Sequence, residues 1–337
     1  AQLPKDVLQV ISGAGETGAA LVDSGVNKIM FTGSVETGKK IAENAAKHLT
    51  SVVLELGGKD PMVVFADANL EKASSAAVWG AFTNSGQACS SVERLYVEEK
   101  IADEFTELVV EKTKNLRQGL GKEAETDIGS MSSERQTEIV EDHVKAFEDS
   151  GAEILTGGGR NEEAGDIFFE PTVIKNATNK MRPMQEETFG PTLPIATFKT
   201  EDEAIDLAND TEFGLTASVW TGDLSRGRRV AEEILAGTVN VNEVLYTHGI
   251  GQTPWGGFKN SGYGRTHGKE GLMELVGVQH IHVNRFLFTP DVWWFGYSKN
   301  AIETFKQMSR TFASGSIIRT IGLLPQMWKR IKELRNK

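Results

Sequence analysis

The chain has 337 residues, 39% hydrophobic and 25% charged, a balance that supports a substantial core and gives no sign of disorder. Its length predicts two domains, or one large domain with appendages, and its formal charge of −11 argues against a nucleic-acid binder, which needs a basic surface to neutralise phosphates. A single cysteine, Cys89, excludes an internal disulfide and fits a reducing compartment, so a cytoplasmic protein is expected, in keeping with an N-terminus that shows no signal-peptide core.

In chain order, Val7–Ile11 is a short apolar, β-branched run followed by a glycine-rich turn and an amphipathic stretch to about Ser24, which predicts strand, turn and helix. Lys28–Phe31 predicts the next strand, Glu36–Lys47 a helix and Val52–Glu55 a third strand. Beyond Lys59 the pattern predicts a strand at Met62–Phe65, a helix over Leu70–Asn84, a strand at Arg94–Val97 and a helix over Ile101–Leu116, with more helix beginning within Asp127–Lys145. Strands near Phe169–Ile174, Pro194–Phe198, Ala217–Thr221 and Gly237–Asn242 complete a second α/β unit, and Val276–Val283 reads as an exposed strand. Alternation of strands and helices predicts parallel sheets with ligands at the strands' carboxyl ends.

Three features carry chemistry. Gly13, Gly15 and Gly18 match the dinucleotide pattern G-x-G-x-x-G, but the acidic residue expected about 20 positions on is replaced by Phe31-Thr32-Gly33, so the ribose clamp is missing. A helix start whose glycines allow close packing is the competing reading, and its amides could still meet a phosphate. Cys89 follows Ser85-Gly86-Gln87, a turn of the kind that could expose a thiol to amides able to lower its pKa, although a lone cysteine is by default a small buried hydrophobe. Glu55 ends a buried strand just before Gly57-Gly58, where a carboxylate with a raised pKa could serve as a base or simply be salt-bridged. The six histidines form no metal constellation; His280 and His282 alternate along the last predicted strand without a carboxylate or cysteine at ligand spacing.

Phe31-Thr32-Gly33-Ser34, Leu54-Glu55-Leu56-Gly57-Gly58-Lys59, Asn84-Ser85-Gly86-Gln87-Ala88-Cys89, Glu186-Glu187-Thr188-Phe189-Gly190-Pro191 and Pro254–Gly262 occur in order over roughly residues 5–285. Together they resemble the NAD(P)-dependent aldehyde dehydrogenases. The resemblance implies an α/β fold in which an incomplete Rossmann-like cofactor domain joins an α/β thiol domain, with an added helical C-terminal extension. It implies NAD or NADP as cofactor, an aldehyde as substrate and a homo-oligomer paired through the 276–283 segment. Cys89 would be the nucleophile and Glu55 the base that activates water against a thioester. Gly13, Thr32, Gly33, Ser34, Gly38, Leu56, Glu187 and Phe189 would contact the cofactor, Glu187 holding the nicotinamide ribose with Phe189 beside it. Members that pass the acyl group to coenzyme A generally lack the base, so Glu55 favours a carboxylic acid product.

On this resemblance residues 1–57 are the remnant of the cofactor domain, 58–260 the thiol domain, 261–285 a return segment with the pairing strand, and 286–337 the extension. A complete member extends upstream of Ala1, where the family carries opening strands, the groups that hold the adenosine ribose, and an asparagine that shares the oxyanion with the Cys89 amide. The chain is therefore expected to be a C-terminal two-thirds fragment, poorly stable and nearly inactive alone, since losing one oxyanion donor costs about 100- to 1000-fold in rate. A small polar semialdehyde as substrate, a cysteine-dependent acyl hydrolase or transferase, and an inactive fragment are the alternatives.

After Arg285 the chain is rich in aromatics, and Ile302, Phe305, Met308 and Phe312, then Ile317, Ile321, Leu324, Trp328 and Ile331, fall at helical spacing apart from a break expected at Pro325. From Lys299 onward nine Lys or Arg face only Glu303 and Glu333. Such a tail could lie on an anionic membrane surface or dock on the acidic body. The aromatic tail, with Cys89-Ser90-Ser91-Val92-Glu93-Arg94, is similar to that of bacterial family members grouped with enzymes for long-chain or carotenoid-type aldehydes, which makes a hydrophobic aldehyde the expected substrate.

Overall fold

The computed structural model describes residues 4–121 and 125–336, and two compact units divide at Gly277 and Val278. The first opens with α1 (Gly15–Asp23), β1 (Lys28–Thr32), α2 (Val35–Ala46) and β2 (Ser51–Glu55). It continues with β3 (Asp60–Val64), α3 (Leu70–Phe82), β4 (Val92–Glu98), α4 (Ala102–Lys114), α5 (Glu134–Asp149), β5 (Glu153–Thr156), β6 (Thr172–Lys175) and β7 (Thr192–Phe198). α6 (Glu201–Asn209), β8 (Thr216–Trp220), α7 (Leu224–Glu233), β9 (Thr238–Val241), β10 (Gly262–Tyr263) and α8 (Gly268–Met273) complete it.

Seven strands form the main sheet in the order β5-β6-β7-β4-β3-β8-β9, parallel except where β5 runs against β6. β3 explains why it is covered on both faces. Met62 and Val64 enter one core with Phe82 of α3 and Phe105 of α4, while Val63 enters the other with Ala204 of α6 and Val230 of α7. Alternation along a strand sends successive side chains to opposite faces, so five consecutive buried residues need helices on both sides. Helix starts are fixed locally: Ser34 accepts from the Thr37 amide, Asn69 from Lys72 and Ser133 from Gln136.

The second, smaller sheet has the order β1-β2-β10. β1 and β2 are parallel, with Thr32 opposite Glu55, and β10 returns antiparallel with Gly262 also opposite Glu55. The carboxyl ends of β1 and β2 thus lead toward the amino ends of β3 and β4, which is where the glycine turns and the thiol lie.

Two expected strands are absent. Val7–Ile11 is irregular and exposed, and Val276–Val283 has no strand pairing among the described residues. β-branched side chains favour extended backbone, but a strand exists only where a neighbour takes its hydrogen bonds, and neither segment has one here. Gly13–Gly18 opens a helix as expected, and a β-carbon placed on Gly13 would fall 2.0 Å from Thr17 Oγ1, so this glycine serves close packing within its own turn.

The second unit contains α9 (Lys299–Ser314) and α10 (Ile317–Arg335), joined through Gly315 in the left-handed conformation at φ 57°. Pro325 does not break α10: the helix runs through it, because a proline removes one backbone donor without forbidding helical φ. Arg330 is fully buried and donates to the carbonyls of Val292, Trp294 and Gly296 at 2.9 to 3.2 Å, tying the preceding aromatic segment to α10.

Candidate active site

A cavity of about 850 Å³ lies between the two sheets of the first unit. Thr32, Gly33 and Ser34 line it from the turn after β1, Glu55, Leu56 and Gly57 from the end of β2, Cys89 from the loop before β4, and Glu187 and Phe189 from the loop before β7. Eight of the ten residues singled out in the sequence therefore line one cavity. Gly38 lies behind it, buried, where a β-carbon would fall 2.6 Å from Leu56 Cδ2. Gly13 is not among the lining residues.

The thiol loop is held in an unusual path. Asn84 and Ser85 take left-handed φ values of 54° and 58°, followed by Gly86 at 69°, where a β-carbon would fall 2.2 Å from the Gly190 carbonyl oxygen. Ser85 Oγ donates to the Gly129 carbonyl at 2.9 Å, and the Gln87 side chain ties down Ser130 and Ser132. Cys89 is half-buried. The expectation that its surroundings lower the thiol pKa is overturned: burial, then the carboxyls of Asp60, Glu187 and Glu55, push it up to about 11, with only its own backbone amide pulling the other way.

Glu55 is buried, and neither carboxylate oxygen has a hydrogen-bond partner among the described residues. Burial raises its pKa to about 7, opposed by Arg265, Trp255 and Thr266, none of which completes a hydrogen bond to it. A buried carboxyl left unsatisfied is poised to take a proton from a small molecule entering the cavity.

Glu187 Oε1 accepts from the Gly58 amide at 3.2 Å, and burial, then the nearby Glu93 carboxylate, raise its pKa to about 7. Its loop rests on residues to which the sequence reading gave no role. Lys59 Nζ pairs with Glu93 at 2.6 Å and donates to Thr188 Oγ1, while Glu93 accepts from the Thr188 and Phe189 amides. Gln136 donates to the Thr188 and Phe189 carbonyls, and His143 Nδ1 meets Thr188 Oγ1 at 3.0 Å. The available signal was Glu93-Arg94 at the head of a strand whose next three residues are Leu95, Tyr96 and Val97, since charges there stay buried only with partners.

The turn after β2 packs closely on the thiol loop and on Glu187. A β-carbon on Gly57 would fall 2.1 Å from Glu187 Oε2, and one on Gly58 2.5 Å from the Cys89 carbonyl oxygen. Protein atoms already fill the space a side chain would take at both positions, so glycine lets this turn pack directly on the thiol loop and on Glu187, which offers a carboxylate to hydroxyls. The residues present fit a nicotinamide ribose. Among the described residues no group of three or more His, Cys, Asp or Glu could hold a metal ion.

The sequence model described as "Aldehyde dehydrogenase family" matches residues 1–281. The chain is 41% identical over 304 residues to the 4,4'-diapolycopene aldehyde oxidase of Methylomonas sp, covering 90% of this chain and 56% of that protein. It is 42% identical over 289 residues to the betaine aldehyde dehydrogenase of Bacillus subtilis strain 168, covering 84% and 59%. A solved structure of betaine aldehyde dehydrogenase from Staphylococcus aureus, in complex with NAD+, superposes with a TM-score of 0.76 at 40% identity over 78% of this chain and 53% of that one. The chain thus spans little more than half the length of these relatives. With four of its five motifs at one cavity and a family match over most of its length, the chain belongs to the aldehyde dehydrogenase family.

Proposed function

We propose that this chain carries the thiol, the base and part of the cofactor site of an NAD(P)-dependent aldehyde dehydrogenase that releases a carboxylic acid. The observation that carries this reading is that Cys89, Glu55 and Glu187 line one cavity, with Gly57 packed against Glu187 and Gly58 against the Cys89 carbonyl. Cys89 Sγ attacks the aldehyde carbon as its proton passes to solvent water, forming a C–S bond and an oxyanion that faces the Cys89 amide. When bound, the nicotinamide supplies the acceptor for the hydride that departs from this carbon, so a thioester remains on Cys89. Glu55, half-ionised near neutrality, takes a proton from water as the water oxygen adds to the thioester carbon; the C–S bond then breaks and the thiol is restored. Thr32, Gly33 and Ser34, which line the cavity at the start of α2, would hold the cofactor's phosphate side, and Glu187 its ribose hydroxyls.

A hydrophobic, long-chain aldehyde is the preferred substrate. Leu56, Ile139, Phe189 and Leu245 give the cavity apolar walls, and the Methylomonas relative is named a 4,4'-diapolycopene aldehyde oxidase. A panel of long-chain, semialdehyde and betaine-type aldehydes, assayed with NAD+ and NADP+ on protein containing this chain, tests the reading. Cofactor reduction should be greatest with the long-chain members and absent in Cys89→Ala; turnover that survives in that variant would remove the thiol from the mechanism.

A further inference from the structure

The two helices that lie beyond the family match leave an apolar stripe uncovered. On α10, Ile317, Ile321, Leu324 and Trp328 fall within an arc of about 60°, and all four are more than half exposed, from 52% at Trp328 to 77% at Ile317. Leu323 and Arg330 occupy a different, buried face of the same helix, so the stripe is not the face that holds the unit together. Trp293, Trp294 and Phe295, pinned by Arg330, are also exposed.

The two helices are rich in cations. Apart from the buried Arg330, seven described Lys or Arg stand on the two helices against Glu303 and Glu333, within a chain of formal charge −11. Lys332 Nζ sits 5.7 Å from the centre of the Trp328 ring, at the border of the stripe, where a lysine can keep its ammonium in water while its stem covers apolar surface. Among the described residues no helix is long and apolar enough to cross a membrane.

We propose that this helical hairpin is a peripheral docking surface for an anionic lipid bilayer, with the Ile317–Trp328 stripe at the boundary between headgroups and acyl chains and the lysines and arginines on the headgroups. Charge selects this occupant over a second copy of the chain. A symmetric pairing of stripe on stripe would bring the same cations together, whereas acidic headgroups neutralise them. This surface belongs to the second unit and the cavity around Cys89 to the first, and its test does not depend on the reaction assigned there.

The experiment is flotation of the 337-residue chain with vesicles of phosphatidylcholine alone or mixed with phosphatidylglycerol. The chain should float with the mixed vesicles at low salt, less so as ionic strength approaches about 0.15 M, and not with phosphatidylcholine alone. Lys329→Gln with Lys332→Gln should weaken partitioning about 30-fold, each lysine near an acidic surface contributing about fivefold. Leu324→Ser with Trp328→Ser should abolish flotation while circular dichroism keeps its helical signal, since these side chains are exposed. A chain that stays at the bottom at low salt, floats equally with neutral lipid, or floats undiminished in both double variants overturns the proposal. So does a stripe variant that converts an oligomer to a monomer when the parent does not float.

Discussion

Lys59 and Glu93 form an ion pair at 2.6 Å with side chains only 1% and 3% exposed, and Glu93 also accepts the amides of Thr188 and Phe189. The pair therefore fixes the loop that presents Glu187, although neither residue is among those lining the cavity. Glu93→Gln keeps the shape but leaves the Lys59 ammonium buried without a counter-charge. Breaking one partner of a buried pair costs about 3 to 5 kcal/mol. Urea unfolding should show a loss of this size, and NAD+ titration a parallel loss of affinity; an unchanged midpoint would show that the loop is held by other means.

Because Cys89 is the chain's single cysteine, its titration can be followed by alkylation alone. With burial and three carboxyls raising its pKa to about 11, the iodoacetamide rate at Cys89 should keep climbing above pH 9 in the absence of cofactor. Glu187→Gln removes one of those charges and should move the curve to lower pH. A rate already level at pH 8 would contradict this electrostatic picture.

Much of the site was legible in the sequence because each motif encodes a local backbone need. Gly57 and Gly58 mark a place where a side chain would collide with Glu187 or the Cys89 carbonyl, and such requirements survive as short strings. The supporting pairs were not legible, since Lys59 with Glu93, and Thr188 with His143, meet only through tertiary contacts. The thiol's pKa failed for the same reason. A turn before Cys89 suggested helpful amides, but the carboxyls that dominate come from β2, β3 and the loop before β7. In the fold, strands with partners on both sides were readable from apolar runs, whereas Val7–Ile11 and Val276–Val283 have the composition of strands and no neighbour to pair with.

Glu55 links activity and stability to pH with opposite signs. Its folded pKa of about 7 lies above the ordinary 4.5, so between those values the folded chain keeps a proton that the unfolded chain has lost. Stability contributed by this group is full below about pH 4.5 and declines as pH rises through 7. Glu55→Gln should therefore stabilise the chain at pH 8, by at most about 3 kcal/mol, and have little effect at pH 4. The same variant should lower turnover about 100- to 10,000-fold and erase a rate limb that rises through pH 7. Melting temperatures across this range check the first statement and a pH–rate profile the second; a variant that melts below the parent at pH 8 would reverse the assigned sign.

Two glycines near Glu55 should respond differently to alanine because their neighbours differ in mobility. A β-carbon on Gly57 would strike Glu187 Oε2 at 2.1 Å, the free end of a side chain that can swing away. Gly57→Ala should therefore change stability by no more than about 1 kcal/mol. It should weaken NAD+ binding about 10- to 100-fold, the range expected for losing a charge-assisted hydrogen bond. A β-carbon on Gly262 would strike the Leu54 backbone oxygen at 1.9 Å, at φ 120°, so β10 would have to leave β2. Gly262→Ala should cost about 3 kcal/mol or more and disturb Glu55, which lies opposite it. Calorimetry of unfolding and of NAD+ binding on both variants separates the two effects, and equal destabilisation by both would mean that Glu187 is not free to move.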